Sequence, residues 1–349
     1  MRGKARPSHD HTVAQACHGS TICWICVWSD EYCDFFSYQS RSSEGAPKVT
    51  KRTDWKGRLD QVVDSIASKG TLRAGYARAN ADLVQRALEG IGVDGGKKHQ
   101  GAGIRVVVNM SSAHITSFCK GSGYKNAYDL EADPKIGRKS KVSEKRKIVD
   151  AALHAVTGCE PRHLYFAAVE LNGTGIGFYG DLWLVLREQE GDRDLTVLDR
   201  NSYDLIREPL WTDIKANSPP DEARANKAAS ISGRFGDDLS AIAAIKVLES
   251  RPSTDRLLST GMVSTGVLED EDYIEVLRTK SFGPLQIEEV RMSAADVAVD
   301  ERIRSRGVSG LPPSHAELLW RRRRRVAEAR LSEQGIPVRA VTTTGRSRG

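Results

Sequence analysis

The chain has 349 residues and a formal net charge of +6, and 39% of its residues are hydrophobic and 28% charged. This composition is typical of a globular protein and excludes a disordered or fibrous one. No apolar run reaches the roughly 20 residues needed to cross a bilayer, which excludes an integral membrane protein. Since the N-terminus lacks the apolar stretch of a signal peptide, a cytoplasmic location is expected.

The positive charge is concentrated near the C-terminus. Residues 301–349 contain twelve Arg, four Glu and neither Lys nor Asp, so they carry +8, whereas the other 300 residues carry −2. A protein that binds nucleic acid over its whole surface would have its basic residues spread more evenly along the chain.

Residues 1–55 have no hydrophobic periodicity and are interpreted as a poorly ordered leader. Four of the six cysteines fall there: Cys17, Cys23, Cys26 and Cys33. The pair Cys23 and Cys26 has the two-residue spacer that lets both thiolates reach one zinc ion. The outer spacings fit no standard zinc knuckle, so these four are weak zinc candidates and reduced thiols are the alternative.

Helices dominate the next part of the chain. Residues 56–103 are predicted to be a helical segment, with helices at Trp55–Lys69 and Leu72–Gly90. A core domain is predicted over 104–302, beginning with a β-branched strand at Ile104–Val108 and short helices at Ser112–Cys119 and Ser143–Val156.

The rest of the core domain is predicted to be rich in strands. They lie at His163–Leu171, Gly177–Leu186, Leu195–Asp199, Asp272–Thr279 and Gln286–Met292. A linker or loop at 218–230 and a helix at Gly236–Ser250 separate the third strand from the fourth. Because helices precede and interrupt a set of short strands, the predicted fold class is α+β, with a central mixed sheet.

Residues 303–349 are predicted to be an Arg-rich helical tail that contributes little to the stability of the body. Ser314 and Glu317 form a capping box that begins a helix ending near Gln334. Within it, Arg321, Arg322, Arg323, Arg324 and Arg325 are consecutive and point in all directions around the helix. This pattern suits a nucleic-acid backbone or an acidic partner, with a solvated helix as the alternative.

One glycine-rich motif resembles known phosphate loops. Gly175, Gly177 and Gly180 match G-x-G-x-x-G, but a strand follows, whereas a dinucleotide-binding loop requires a helix there. A kinase is excluded because the next strand lacks a Lys. The motif is therefore interpreted as a hairpin. Asp272, Glu275 and Lys280 are the residue types of a nuclease site, but at the wrong spacing.

A series of short motifs runs from residue 110 to 295. It consists of Gly121-Ser-Gly-Tyr124-x-Asn126, Arg146, the segment 163–168, Phe178-Tyr-Gly-Asp181, Thr196-Val-Leu-Asp199 with Ser202, and Tyr273-Ile-Glu275. In this order the motifs resemble the mono-ADP-ribosyltransferase-like domains of bacterial and phage toxins. Tyr273 occupies the position where the family's second Glu or Gln stands, which argues against transfer to arginine.

The resemblance implies an enzyme that uses NAD and modifies a protein or nucleic-acid target. It implies that Glu275 stabilises the positive ribose in the transition state and that Ser202 holds its carboxylate. Arg162 and His163 are implied to bind the cofactor, and Tyr179 to stack on the nicotinamide.

Three other classes of function stay open. The first is a nucleic-acid-associated protein that binds through Arg321–Arg325 without catalysis, the second is a structural or accessory protein, and the third is an enzyme of another kind. An ADP-ribosyltransferase should bring Glu275, Ser202 and Arg162 or His163 into one cleft. A binding protein should instead show one continuous basic face.

Overall fold

A computed structural model gives the fold and confirms the α+β class. It describes residues 52–89, 104–133, 141–171, 180–189, 191–206, 220–249, 255–259, 262–263, 267–269, 272–308 and 310–341. Within these ranges, no helix combines the length and the apolar character needed to span a membrane.

The helices and strands alternate irregularly along the chain. The α-helices are α1 (Trp55–Ala67), α2 (Thr71–Leu88), α3 (Ser112–Ser117), α4 (Ala127–Ala132), α5 (Glu144–Thr157), α6 (Pro220–Ile231), α7 (Leu239–Glu249), α8 (Ala294–Val308) and α9 (His315–Glu333). The strands are β1 (Ile104–Met110), β2 (Tyr165–Leu171), β3 (Leu182–Leu186), β4 (Thr196–Leu198), β5 (Ser232–Arg234), β6 (Leu268–Glu269), β7 (Asp272–Tyr273), β8 (Glu275–Arg278), β9 (Ile287–Ser293) and β10 (Val338–Val341). Short 3-10 turns occur at Pro161–His163, Asp192–Asp194, Ser202–Ile206 and Pro284–Gln286.

Eight strands form one mixed sheet in the order β10-β9-β3-β1-β2-β8-β4-β5. Every neighbouring pair is antiparallel except β10 and β9, which are parallel. The strands β6 and β7 pair separately. Because side chains alternate between the two faces of a strand, the register decides which residues share a face.

The larger hydrophobic core covers one face of the sheet. Its strand residues include Val106, Val169, Leu184 and Val276, and its helical residues come from α2, α7 and α9. The N-terminal helices also belong to this layer, since the buried Trp55 donates a hydrogen bond from Nε1 to the Ser232 oxygen at 2.8 Å.

A smaller core lies on the opposite face, where α5 and α6 pack on β4 and β8. It includes Leu153 of α5, Ala228 of α6, Leu198 and Leu277. Ser143 caps α5 by accepting from the Arg146 N–H, and Gly158 ends the helix in the left-handed conformation at φ 65°. These contacts fix α5 above the strands and leave a cleft beside it.

Several predicted boundaries are corrected. The segment 218–230 is predicted to be a linker or loop, but α6 occupies most of it and begins at Pro220. Proline is tolerated in the first helical turn because that N–H has no partner within the helix. The strand predicted at Asp272–Thr279 is interrupted at Ile274. Of the strand predicted at Gly177–Leu186, the structure describes residues 180–186, and the strand β3 begins at Leu182.

The C-terminal segment is an integral part of the body. The predicted capping box of α9 is confirmed, with the Ser314 hydroxyl accepting from the Glu317 N–H. Ala327, Leu331 and Ile336 join the larger core, and β10 adds a strand to the sheet. This packing argues against the expectation that the segment contributes little to stability, because helices on a sheet bury their apolar side chains against it. The domain boundaries themselves stay predictions.

Candidate active site

A cleft of about 120 Å³ opens between the sheet and the helices α4 and α5. Its floor comes from β1, β2 and β8, on the face that carries the smaller core. Five aromatic residues line it: Tyr124, Tyr128, Phe166, Tyr203 and Tyr273. A concave site with an apolar lining and a few converging polar groups is the usual form of a small-molecule binding site.

Glu275 supplies the carboxylate in the floor of the cleft. It is the first residue of β8, where its backbone is paired with Ala168 of β2 on one side and Leu198 of β4 on the other. Its exposed fraction is 3%. The Ser202 backbone N–H donates a hydrogen bond to Glu275 Oε2 at 2.8 Å. The carboxylate therefore lies on a strand that is paired on both sides, and a backbone N–H holds it in place.

Arg146 places a guanidinium in the same cleft. Its Cζ lies 3.6 Å from the ring centroid of Phe166 and 5.5 Å from that of Tyr203. Its Nη2 lies 2.6 Å from Oδ1 of Asp150, one turn further along α5. Burial disfavours the charged guanidinium, but the charge of Asp150 and its hydrogen bond outweigh burial, so the pKa of Arg146 is raised.

Asp150 connects α5 to α4. It is fully buried, and its Oδ2 accepts a hydrogen bond from the Tyr128 hydroxyl at 2.9 Å. Burial raises the pKa of Tyr128, and the neighbouring Asp150 raises it further. Tyr128 is therefore a neutral hydrogen-bond donor at physiological pH, and its hydrogen bond joins α4 to α5 in the wall of the cleft.

The pKa of Glu275 is raised to about 6. Burial is the main cause, and the charge of Asp150 acts in the same direction. Arg146 and the hydrogen bond from Ser202 oppose the shift without cancelling it. Glu275 is therefore mostly ionised at pH 7.5 and gains a proton as the pH falls through 6.

The structure brings together two of the residues predicted for the site. Glu275 and Ser202 are in contact, and the backbone N–H of Ser202 donates to the Glu275 carboxylate. Arg162 and His163 are exposed and absent from the cleft lining, and Arg162 pairs with Glu160 at 2.7 Å. They lie on the 3-10 turn before β2 and not on the strand that forms the floor.

Sequence reasoning missed the functional groups of α5 and α4. Arg146 was noted as part of a motif, but neither it nor Asp150 and Tyr128 was assigned to the site. The four-residue spacing of Arg146 and Asp150 is a signal for an ion pair on one helix face. It gives no information about which strands that face meets.

Two predictions fall outside the described residues. They are the stacking role of Tyr179 and the weak zinc site at Cys17, Cys23, Cys26 and Cys33. Among the residues that the structure describes, no group of three or more His, Cys, Asp or Glu side chains is arranged to hold a metal ion.

The five consecutive arginines are not equivalent. Arg321 and Arg325 both pair with Asp300 of α8, at 3.1 and 2.8 Å. Arg324 is buried, pairs with Asp296 at 3.0 Å and lies over the ring of Trp320. Arg322 and Arg323 are exposed. Much of the positive charge of this run is therefore balanced within the helical pair α8–α9.

A scan against models of known protein families found no match to the chain, and neither did searches of curated proteins and of solved structures. The function must therefore be argued from the chemistry of the site itself.

Proposed function

We propose that the protein cleaves the nicotinamide–ribose bond of NAD in this cleft and transfers the ADP-ribosyl group to an acceptor. The observation that carries the proposal is the buried carboxylate of Glu275, fixed by the Ser202 N–H in an aromatic cleft. A carboxylate that is held in place before the reaction stabilises developing positive charge more strongly than a solvated one does.

The size and lining of the cleft support a ring-shaped ligand. A volume of about 120 Å³ is close to that of cavities that hold one six-membered ring. Aromatic side chains favour offset or edge-on contact with another ring. The nicotinamide end of NAD fits these properties, while the rest of the dinucleotide extends from the open side.

The reaction follows from this placement. When the bond between ribose C1′ and the nicotinamide nitrogen breaks, its electron pair leaves with nicotinamide, which becomes neutral. The ribose acquires oxocarbenium character, and the ionised Glu275 stabilises it. The acceptor then forms a bond to C1′ and gives its proton to the Glu275 carboxylate. Because this role needs the ionised form, the rate should rise with pH through about 6.

Arg146 and Asp150 act as positioning residues in this proposal. The guanidinium stacks on Phe166 and is neutralised by Asp150, so it stiffens the wall beside Glu275. A site whose supporting residues are locked by packing keeps its reacting groups in place.

The test is the release of nicotinamide from NAD, measured by chromatography with and without candidate acceptors. Glu275→Gln keeps the shape of the side chain and removes its charge, so release should fall by at least about a hundredfold. The affinity for NAD should stay within about tenfold, since the charge acts more strongly on the transition state than on the bound substrate. Glu249→Gln, an exposed change on α7, is the matched control. Unchanged release by Glu275→Gln would refute the proposal.

A further inference from the structure

The charges around the cleft do not balance. Among the lining side chains that the structure describes, Arg146 is the single cation, whereas Asp150 and Glu275 are both acids. Arg146 contacts Asp150 at 2.6 Å, so the carboxylate of Asp150 compensates most of its positive charge. With both acids ionised, the lining carries a net charge of −1.

A buried net charge is costly unless a proton or a partner compensates it. As the pH falls through about 6, Glu275 takes up this proton. Asp150 has Arg146 and the Tyr128 hydroxyl as partners. A ligand with one positive charge would replace the proton. The tyrosine rings favour the same ligand, because the faces of aromatic rings attract cations.

We infer that the cleft selects planar rings carrying one positive charge, and that binding such a ring displaces the proton of Glu275. The inference rests on the proposed function and deepens it. The oxidised nicotinamide ring of NAD is a pyridinium cation, whereas the reduced ring and released nicotinamide are neutral. The cleft would therefore hold the substrate and let the neutral product leave.

The pH dependence follows from the groups that face Glu275. The titratable and charged groups that line the cleft with it are Arg146 and Asp150 from α5, Tyr128 from α4, Tyr203 from the turn after β4, Tyr124, and Tyr273, two residues before it in the chain. The affinity for a cationic ring should increase as the pH rises from 5 to 7 and then level off. The affinity for a neutral ring should lack this increase.

The experiment uses two probes of nearly the same shape, 1-methylnicotinamide as the cation and nicotinamide as the neutral ring. Calorimetric titration of the whole protein at pH 7.5 should give a dissociation constant at least about tenfold lower for the cation. At pH 6, titrations in two buffers of different ionisation enthalpy should show proton release with the cation alone.

Glu275→Gln should reduce the preference for the cation by at least about fivefold and abolish proton release. Glu249→Gln should change neither. Equal affinity for the two probes, no binding of either probe, or a preference independent of pH in the wild-type protein would each overturn the inference. The wild-type pH series decides the matter even if Glu275→Gln does not fold.

Failure of this inference is distinguishable from failure of the proposed function. Release of nicotinamide from NAD without a preference for the cationic probe would leave the function standing and remove the inference. A clear preference for the cationic probe without NAD cleavage would leave the inference standing and remove the proposed function.

Discussion

Replacing Glu275 by Gln should make the folded protein more stable, relative to the wild type, at neutral pH than at pH 4. Burial disfavours the ionised carboxylate, and its pKa is about 6 in the folded protein against about 4.5 in a solvated carboxyl. Above pH 6 the folded state therefore carries a buried charge that the unfolded chain hydrates freely. The amide that Glu275→Gln introduces has no charge to bury, and its oxygen can still accept from the Ser202 N–H.

The size of the effect follows from the two pKa values. Since one pKa unit corresponds to about 1.4 kcal/mol, this carboxyl lowers the folding stability of the wild type by about 2 kcal/mol between pH 4 and pH 7.5. A raised carboxyl pKa favours folding at low pH, and this advantage is lost as the pH rises through 6. The free energy of unfolding of the variant, relative to the wild type, should therefore increase by about 2 kcal/mol over this range.

Urea unfolding at a series of pH values measures this difference directly. Other titrating groups are shared by the two proteins, so they largely cancel in the comparison. Glu249→Gln is again the control, because that carboxylate is exposed and should give a nearly constant difference. If the difference for Glu275→Gln did not change with pH, Glu275 would be solvated and the electrostatic description of the cleft would be wrong.

Three further predictions concern the fold and the basic helix. Gly180→Ala should lower the free energy of unfolding, measured in urea, by about 1–3 kcal/mol, because the new Cβ would collide with the carbonyl group of the last β1 residue. Gly75→Ala, in open space on α2, should not lower it. Deleting residues 311–349 should lower the melting temperature by at least about 5 °C, since α9 and β10 would be lost, and an unchanged value would restore the interpretation of a separate tail. Replacing Arg322 and Arg323 together by Glu should leave retention on duplex DNA and on RNA unchanged at physiological salt, and a loss of about tenfold would favour the nucleic-acid-binding alternative.

Long-range contacts decided the composition of the site. The helix that carries Arg146 and Asp150 could be predicted from its cap and its apolar spacing, but its position above Phe166 depends on packing against β4, β8 and α6. Arg162, expected to bind the cofactor, lies outside the cleft lining for a related reason. A residue at the start of a strand can point toward a site or away from it, and its neighbours in the chain do not settle the direction.

The sequence alone determined the features that depend on local physics. Side-chain capping by Ser314 predicts the beginning of α9, and β-branched composition predicts β1. Only the tertiary structure decided that Ser202 meets Glu275 through its backbone N–H and that Asp300 pairs with two arginines of α9. The physical reason is the distance along the chain over which each effect acts. Capping and strand propensity act within a few residues, whereas burial and charge pairing depend on which distant segments share a face of the sheet.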